Sequence, residues 1–225
     1  DFSLVNNNRM ASEKIALYYW PARGRGEQIR LVLAEAGVTW EEPTFDMSDE
    51  AAKLAYFAKC RELGGNLTTN VPMLEIDGMC LTQSSAVLKY AARKYGIYPQ
   101  ELSAAYFVDN LIAAAEDLRT ANYKPMPLFG ATEEAKVAYT EKVLPNHLEN
   151  LAQLLGGASY FAQDAFSVAD LTIYDTLDVA NRQVPGVLDK YPTLKAFHAR
   201  VEERPNIATY LSSERRGKLF AFPAL

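Results

Sequence analysis

Cysteine is nearly missing from this chain. Cys60 and Cys80 are the only two among 225 residues, and they form no CxxC pair. That excludes a disulfide framework and fits a reducing, cytoplasmic compartment. Histidine is equally scarce. His147 and His198 lie in helical stretches without a ligand-spaced partner, so both read as surface or packing residues, and no metal is expected. Basic charge is not in excess: 23 Lys and Arg stand against 28 Asp and Glu, a net charge of −5, which argues against nucleic acid or an anionic membrane as partner. No apolar run has the length of a membrane span. The opening DFSLVNNNRM lacks the apolar core of a signal peptide. There is no P-loop, HExxH, GxSxG or dinucleotide fingerprint, and no internal repeat.

What remains is a core-forming chain, 49% hydrophobic and 23% charged, of a length that suits one large or two small domains. Its organising stretch is Asn70 to Ser85, NVPMLEIDGMCLTQSS. Two apolar runs, Met73 to Ile76 and Met79 to Thr82, flank Asp77-Gly78. An Asp-Gly pair there signals a hairpin, because both central residues of a type I′ turn need positive φ. Pro72 has no N–H to give a ladder and should stand at the beginning of its strand. Gln83-Ser84-Ser85 then opens an apolar-periodic helix, with serine as the expected N-cap. A helix N-terminus offers free N–H groups to an anion, so proline, hairpin and polar cap read as a clamp for a small carboxylate ligand. An ordinary hairpin-to-helix connection explains the same spacing equally well.

Lys14 to Tyr19 alternates as a strand, with Ile15, Leu17 and Tyr19 on one face. Pro21 and Gly24 break it, Gln28 to Ala36 reads as an amphipathic helix, and Gly37 stops it. Trp40 to Phe45 is a second strand candidate and Asp49 to Arg61 a second helix, followed by a Gly64-Gly65-Asn66 loop. The order β-α-β-α-β-β-α implies a parallel pair closed by an antiparallel hairpin. After Gly96 strand signals stop, and long helical patterns cover Glu101 to Asn122, Thr132 to Leu155, Ser167 to Arg182 and Pro192 to Leu211. The expected division is a weakly structured leader (1–11, with Met10 a candidate start), an α/β domain (12–96) and an all-α domain (97–225).

Two further features carry chemistry or structure. Tyr19-Trp20 ends the first strand beside a loop, where the sheet can fix a side chain against a ligand; with 13 tyrosines in the chain, a core-edge role is the simpler reading. Ser167-Val168-Ala169-Asp170 matches a capping box that fixes a buried helix start. The Arg215-Arg216-Gly217-Lys218 run reads as a solvated turn.

In this order and spacing, these pieces resemble a cytosolic glutathione transferase from Lys14 to about Pro223. The motif L-x-Y-[WF]-x-x-R-G-R stands as Leu17 to Arg25, the clamp as Asn70-Val71-Pro72 with Gln83-Ser84, and the helical domain carries Ser167-x-x-Asp170 followed by Tyr174-Asp175. The tyrosine form is similar to the alpha, mu, pi and sigma classes. Tyr19-Trp20, the ARKYGI stretch and Tyr191-Pro192-x-Leu194 look most like mu, and Arg25 more like sigma.

The resemblance implies a thioredoxin-like N-terminal domain followed by an all-α helical domain. Glutathione is the implied co-substrate, conjugated to small hydrophobic electrophiles. It implies a cis Pro72, with the Val71 backbone pairing with the cysteinyl part of glutathione like an added strand. Gln83 and Ser84 would hold the γ-glutamyl carboxylate, and Asn70 would reach the peptide backbone. Phe57 and Arg61 stand where mu enzymes have a tryptophan and a lysine at the glycyl end; Phe57 lacks the indole N–H, while Arg61 keeps the charge. Tyr19 would donate a hydrogen bond to the thiolate, with Trp20 also in the site and Arg25 assisting by its charge. A thiol of pKa ~8.5 needs a shift of about two units, roughly 2.7 kcal/mol, to become mainly ionised at neutral pH.

Asp117 would reach across a homodimer interface toward the partner's glutathione amine. Phe57 would lie at that surface as an aromatic in need of cover. Trp20, Ala22, Tyr123, Met126 and Phe220 are the electrophile-pocket candidates. Two other readings fit the same fold: a non-catalytic relative, as in lens crystallins or translation-factor domains, or an isomerase such as a prostaglandin D synthase. Retention of Tyr19, Gln83, Ser84 and Asp117 favours the enzyme. Ala113 and Glu116 stand where that synthase carries two further acids, and the missing acid at Ala113 argues against its metal site.

Overall fold

The computed structural model describes residues 14–46, 48–64, 70–162 and 165–225. The expected leader and residues 65–66 of the expected glycine loop lie outside the described residues. The chain forms two compact units, residues 1–21 with 39–87 and residues 22–38 with 88–225. The division does not follow chain order, because the first helix groups with the second unit.

The first unit is built on a three-stranded sheet of order β1-β2-β3: β1 (Ala16–Tyr18), β2 (Met73–Ile76) and β3 (Met79–Leu81). β1 is buried on both faces, so the expected alternation gives way to a continuous apolar run of the kind a covered strand needs. β2 pairs antiparallel with both neighbours. Asp77 (φ 54°) and Gly78 (φ 72°) form the expected turn, and Pro72 directly precedes β2 with a cis Val71–Pro72 bond. The strand expected over 40–45 shrinks to a single parallel bridge, Ala16 to Glu41. It is held by Leu17 N–H to the Glu41 carbonyl at 2.9 Å and Glu41 N–H to the Ile15 carbonyl at 2.8 Å. Pro43 has no N–H with which to extend it. Helix α2 (Glu50–Gly64) sends Cys60 into a small core with Ala16, Tyr18 and Met73. Burial lifts the Cys60 thiol to about 11, so it packs as an inert hydrophobe.

Helix α3 (Ser84–Lys94) begins in the first unit and ends in the second. The second unit is helical: α1 (Gly24–Glu35), α4 (Leu102–Tyr123), α5 (Glu133–Ala138), α6 (Leu144–Leu155), α7 (Val168–Gln183), α8 (Pro192–Glu202), α9 (Pro205–Leu211) and α10 (Glu214–Gly217). The single helical pattern expected from Thr132 to Leu155 is α5 and α6 joined by one π-helical segment, Tyr139–Val143, just before Pro145. The wider coil there suits a residue that cannot donate to the ladder. α7 is the buried centre, and its capping box forms as expected. Asp170 accepts the Ser167 N–H at 2.8 Å and the Phe161 N–H at 2.8 Å, and the Ser167 hydroxyl accepts the Ala169 N–H at 3.2 Å. Among the described residues, no helix is long and apolar enough to cross a membrane.

The basic run at 215–218 is not the solvated turn its composition suggests. Arg216 is buried, donating to Glu27 of α1 at 2.8 Å and to Asp178 of α7 at 3.1 Å. Glu27 is fully buried and also accepts the Tyr210 hydroxyl at 2.9 Å, so α9 and α10 both reach back to one carboxylate of α1. His198 is similarly drawn inward, 3.8 Å from Asp178 and 3.6 Å from Glu202, with its ring 4.7 Å from that of Tyr174. Burial lowers its pKa against the pull of both carboxylates.

Candidate functional site

The register of the sheet brings the expected clamp residues to one end of the first unit. β1 pairs its last residue, Tyr18, with Met73, the first of β2, so Tyr19 leaves the sheet at the end where Pro72 enters it. β2 pairs Leu74 with Leu81, the last residue of β3, so Gln83 follows two residues on at that same end. Tyr19, Pro72 and Gln83 therefore all flank one end of the sheet, with Val71 and Ser84 the next residues along their segments. A strand end fixed by a buried sheet is a rigid platform, as a binding site requires.

Gln83 departs from the sequence expectation. Its carbonyl accepts the Val87 N–H at 2.9 Å, so Gln83 and not a serine caps α3, and Ser84 and Ser85 lie in the first turn. Gln83 adopts φ 71°, a left-handed conformation that a β-carbon makes costly by about 1–2 kcal/mol. Such strain marks functional sites more often than ordinary connections. Its side chain is exposed while that of Ser84 is half-buried, at a helix N-terminus whose first amides lack intrahelical acceptors. The arrangement can hold a carboxylate.

The remaining first-unit candidates lie on α2 and on the segments that flank the strands. Asn70 is exposed, and its side-chain oxygen accepts the Val71 N–H at 2.8 Å. Arg61 is exposed on α2, its Nε donating to the Phe57 carbonyl at 3.4 Å. Tyr19 is half-buried, and its carbonyl accepts the Tyr56 hydroxyl at 3.2 Å. Trp20 packs on Phe57 at 5.0 Å and Phe45 at 5.4 Å between ring centroids, and Phe45 packs on Tyr56 at 4.6 Å. Phe57 thus packs on rings of its own unit and is half-buried. Phe45 and Tyr56 were not singled out from the sequence; their signal is the aromatic content of 45–57. Tyr18, next to Tyr19, is occupied elsewhere. Its hydroxyl donates to Glu75 at 3.3 Å, and burial with the nearby carboxylate pushes its pKa up to about 12.

The other candidates belong to the second unit. Arg25 stands in the first turn of α1, not in the preceding loop, and donates to Glu116 of α4 through Nε (3.1 Å) and a terminal nitrogen. Its guanidinium lies 5.4 Å from the Tyr123 ring centroid. Tyr123 contacts Phe129 and Phe222, and Phe222 contacts Phe220, whose residue bridges to Ala22. Phe129 and Phe222 enlarge the apolar face expected from Ala22, Tyr123 and Phe220. Met126 is only 2% exposed and so contributes packing beneath that face. Asp117 is exposed on α4 and, with His147, Asn150 and Leu154, lines a cavity of about 210 Å³.

Comparison with known proteins bears on this arrangement. A family model for the glutathione S-transferase N-terminal domain matches residues 15–93, and one for the glutathione S-transferase C-terminal domain matches residues 117–214. The chain is 33% identical to glutathione S-transferase A3 of Mus musculus over 219 residues, 92% of each chain. It is 36% identical to glutathione S-transferase Mu 1 of Oryctolagus cuniculus over 206 residues, 89% of this chain and 92% of that one. The solved pi-class glutathione S-transferase of Onchocerca volvulus superposes with a TM-score of 0.78 at 25% identity, covering 92% of this chain and 96% of that one.

Proposed function

Since this chain belongs to the glutathione S-transferase family, we propose that Tyr19 is the group that ionises its co-substrate's thiol. The protein is a glutathione transferase with the family's fold, a thioredoxin-like N-terminal domain followed by an all-helical domain, and glutathione is its co-substrate. What supports the proposal is that Tyr19, Pro72 and Gln83 flank the same end of the sheet, where a hydroxyl donor and a carboxylate clamp can share one rigid platform.

In this reading, Gln83, Ser84 and the α3 N-terminus hold the γ-glutamyl carboxylate. Val71 and Asn70 meet the peptide, and Arg61 meets the glycyl end. The Tyr19 hydroxyl donates to the sulfur and favours the thiolate over the thiol. The thiolate then attacks an electrophilic carbon, a C–S bond forms, and the leaving group or the adjacent π bond takes the electron pair. The aromatic face of Tyr123, Phe220 and Phe222 suits an apolar electrophile. A homodimer, with Asp117 completing the partner's glutathione site, is the proposed working unit.

Tyr19→Phe tests the central step. It removes one charge-assisted hydrogen bond and should lower the conjugation rate about ten-fold or more while leaving glutathione affinity nearly unchanged. Unchanged turnover removes Tyr19 from the mechanism.

A further inference from the structure

Tyr19 stands one residue beyond the last rung of β1, where the ladder bonds of that strand stop. Pro21, two residues further, has no N–H with which to carry the ladder on. At this exit the chain is tied to α2. The Tyr56 hydroxyl donates to the Tyr19 carbonyl at 3.2 Å, across 37 positions of sequence. The next residue of α2, Phe57, packs its ring on the next residue of the exit, Trp20, at 5.0 Å between centroids. Phe45 closes the group, 5.4 Å from Trp20 and 4.6 Å from Tyr56. Successive residues of α2 therefore grip successive residues of the chain leaving β1, and all of them belong to the first unit.

Tyr56 is itself held. It packs against the small core of Ala16, Tyr18, Cys60 and Met73, its ring 6.1 Å from that of Tyr18. Burial lifts its hydroxyl above the ordinary tyrosine range, so it keeps its proton and acts as a donor. A hydrogen bond weakens steeply as its geometry departs from the ideal. A donor aimed at a reacting atom therefore depends on the groups that hold its backbone.

We infer that Tyr56 is a positioning residue for glutathione conjugation: its hydroxyl fixes the Tyr19 backbone, and with it the pose from which the Tyr19 hydroxyl meets the sulfur. The inference rests on the role proposed for Tyr19. It separates Tyr56 from its neighbours Phe45 and Phe57, which contribute ring packing alone.

Tyr56→Phe removes one oxygen and keeps the ring. Tyr56→Phe, Tyr19→Phe and the double variant are compared with wild type in the full chain. Calorimetry gives glutathione affinity, and kcat/KM with glutathione and an activated aryl chloride is followed against pH. The ultraviolet absorbance of the bound thiolate, titrated without electrophile, reads the thiol pKa independently. If Tyr56 positions Tyr19, Tyr56→Phe raises the thiol pKa and lowers kcat/KM about three- to ten-fold at neutral pH. Glutathione affinity stays close to that of the wild type, and the double variant is no worse than Tyr19→Phe alone. A role confined to packing leaves the thiol pKa where it was. An unchanged pKa in Tyr56→Phe beside a raised one in Tyr19→Phe overturns the inference and leaves the role of Tyr19 standing. So do effects that multiply in the double variant, or a rate loss carried by glutathione affinity alone. Unchanged pKa and turnover in Tyr19→Phe overturn the proposed role of Tyr19 and the inference with it.

Discussion

Replacing Asp170 by alanine should cost this protein a large part of its folding stability, although no part of the proposed glutathione clamp is touched. Asp170 is fully buried at the start of α7. Its carboxylate accepts two backbone N–H groups, from Phe161 and from Ser167, each at 2.8 Å and each in a buried setting, and the Ser167 hydroxyl at 3.2 Å. Alanine leaves both amides without an acceptor and without room for bulk water. Each orphaned donor costs about 1–3 kcal/mol. Against this, removing the carboxylate relieves a desolvation that already raises its pKa, a sign that the buried charge is disfavoured. The net expectation is a loss of about 2–4 kcal/mol, out of a total stability of about 5–15 kcal/mol for a typical folded chain. Ser167→Ala removes the cap to the Ala169 N–H and the hydroxyl donor to Asp170 but leaves both backbone N–H bonds to the carboxylate, and should cost about 1 kcal/mol. Urea unfolding measures both: the midpoint should shift with the slope unchanged. A loss below about 0.5 kcal/mol for Asp170→Ala, or equal losses for the two variants, refutes the orphaned-amide argument.

Gln83→Gly relieves the left-handed strain but adds freedom to the unfolded chain, so stability should change by less than about 1 kcal/mol while glutathione affinity falls; calorimetry showing equal affinity takes Gln83 out of the clamp. If the proposed homodimer is the working unit, Asp117→Asn should weaken glutathione binding and leave the association state unchanged, and a dilute 25.0 kDa monomer with full activity in sedimentation rules out the shared site. His198, surrounded by Asp178, Glu202, Arg216 and Tyr174, with Arg23 and Arg182 on Asp178, has its pKa lowered by burial. The unfolded chain therefore takes up its proton first. The stability this histidine contributes is present above about pH 6.5 and is lost as pH falls through the folded value. His198→Gln should flatten that slope in urea midpoints taken between about pH 7.5 and 5.5, and parallel slopes contradict it.

Features whose causes lie within a few residues were legible in the sequence. Asp77-Gly78 forms its hairpin because positive φ at both positions is a property of the turn itself. The Ser167–Asp170 box closes across three residues, and Gly37 ends α1 with φ 67°, as a left-handed stop does. The common end of the sheet at which Tyr19, Pro72 and Gln83 lie follows from short segments whose order along the chain is their order across the sheet. Tertiary structure decided what pairing over distance decides. Arg216 reads as one of four residues in a solvated turn, yet it meets Glu27, 189 positions away. Arg25 meets Glu116 across 91 positions, and Arg119 meets Asp175 across 56. Nothing local distinguishes these charges from solvated ones. Only the packing of α1, α4 and α7 removes the water, and a charge without water must have a partner.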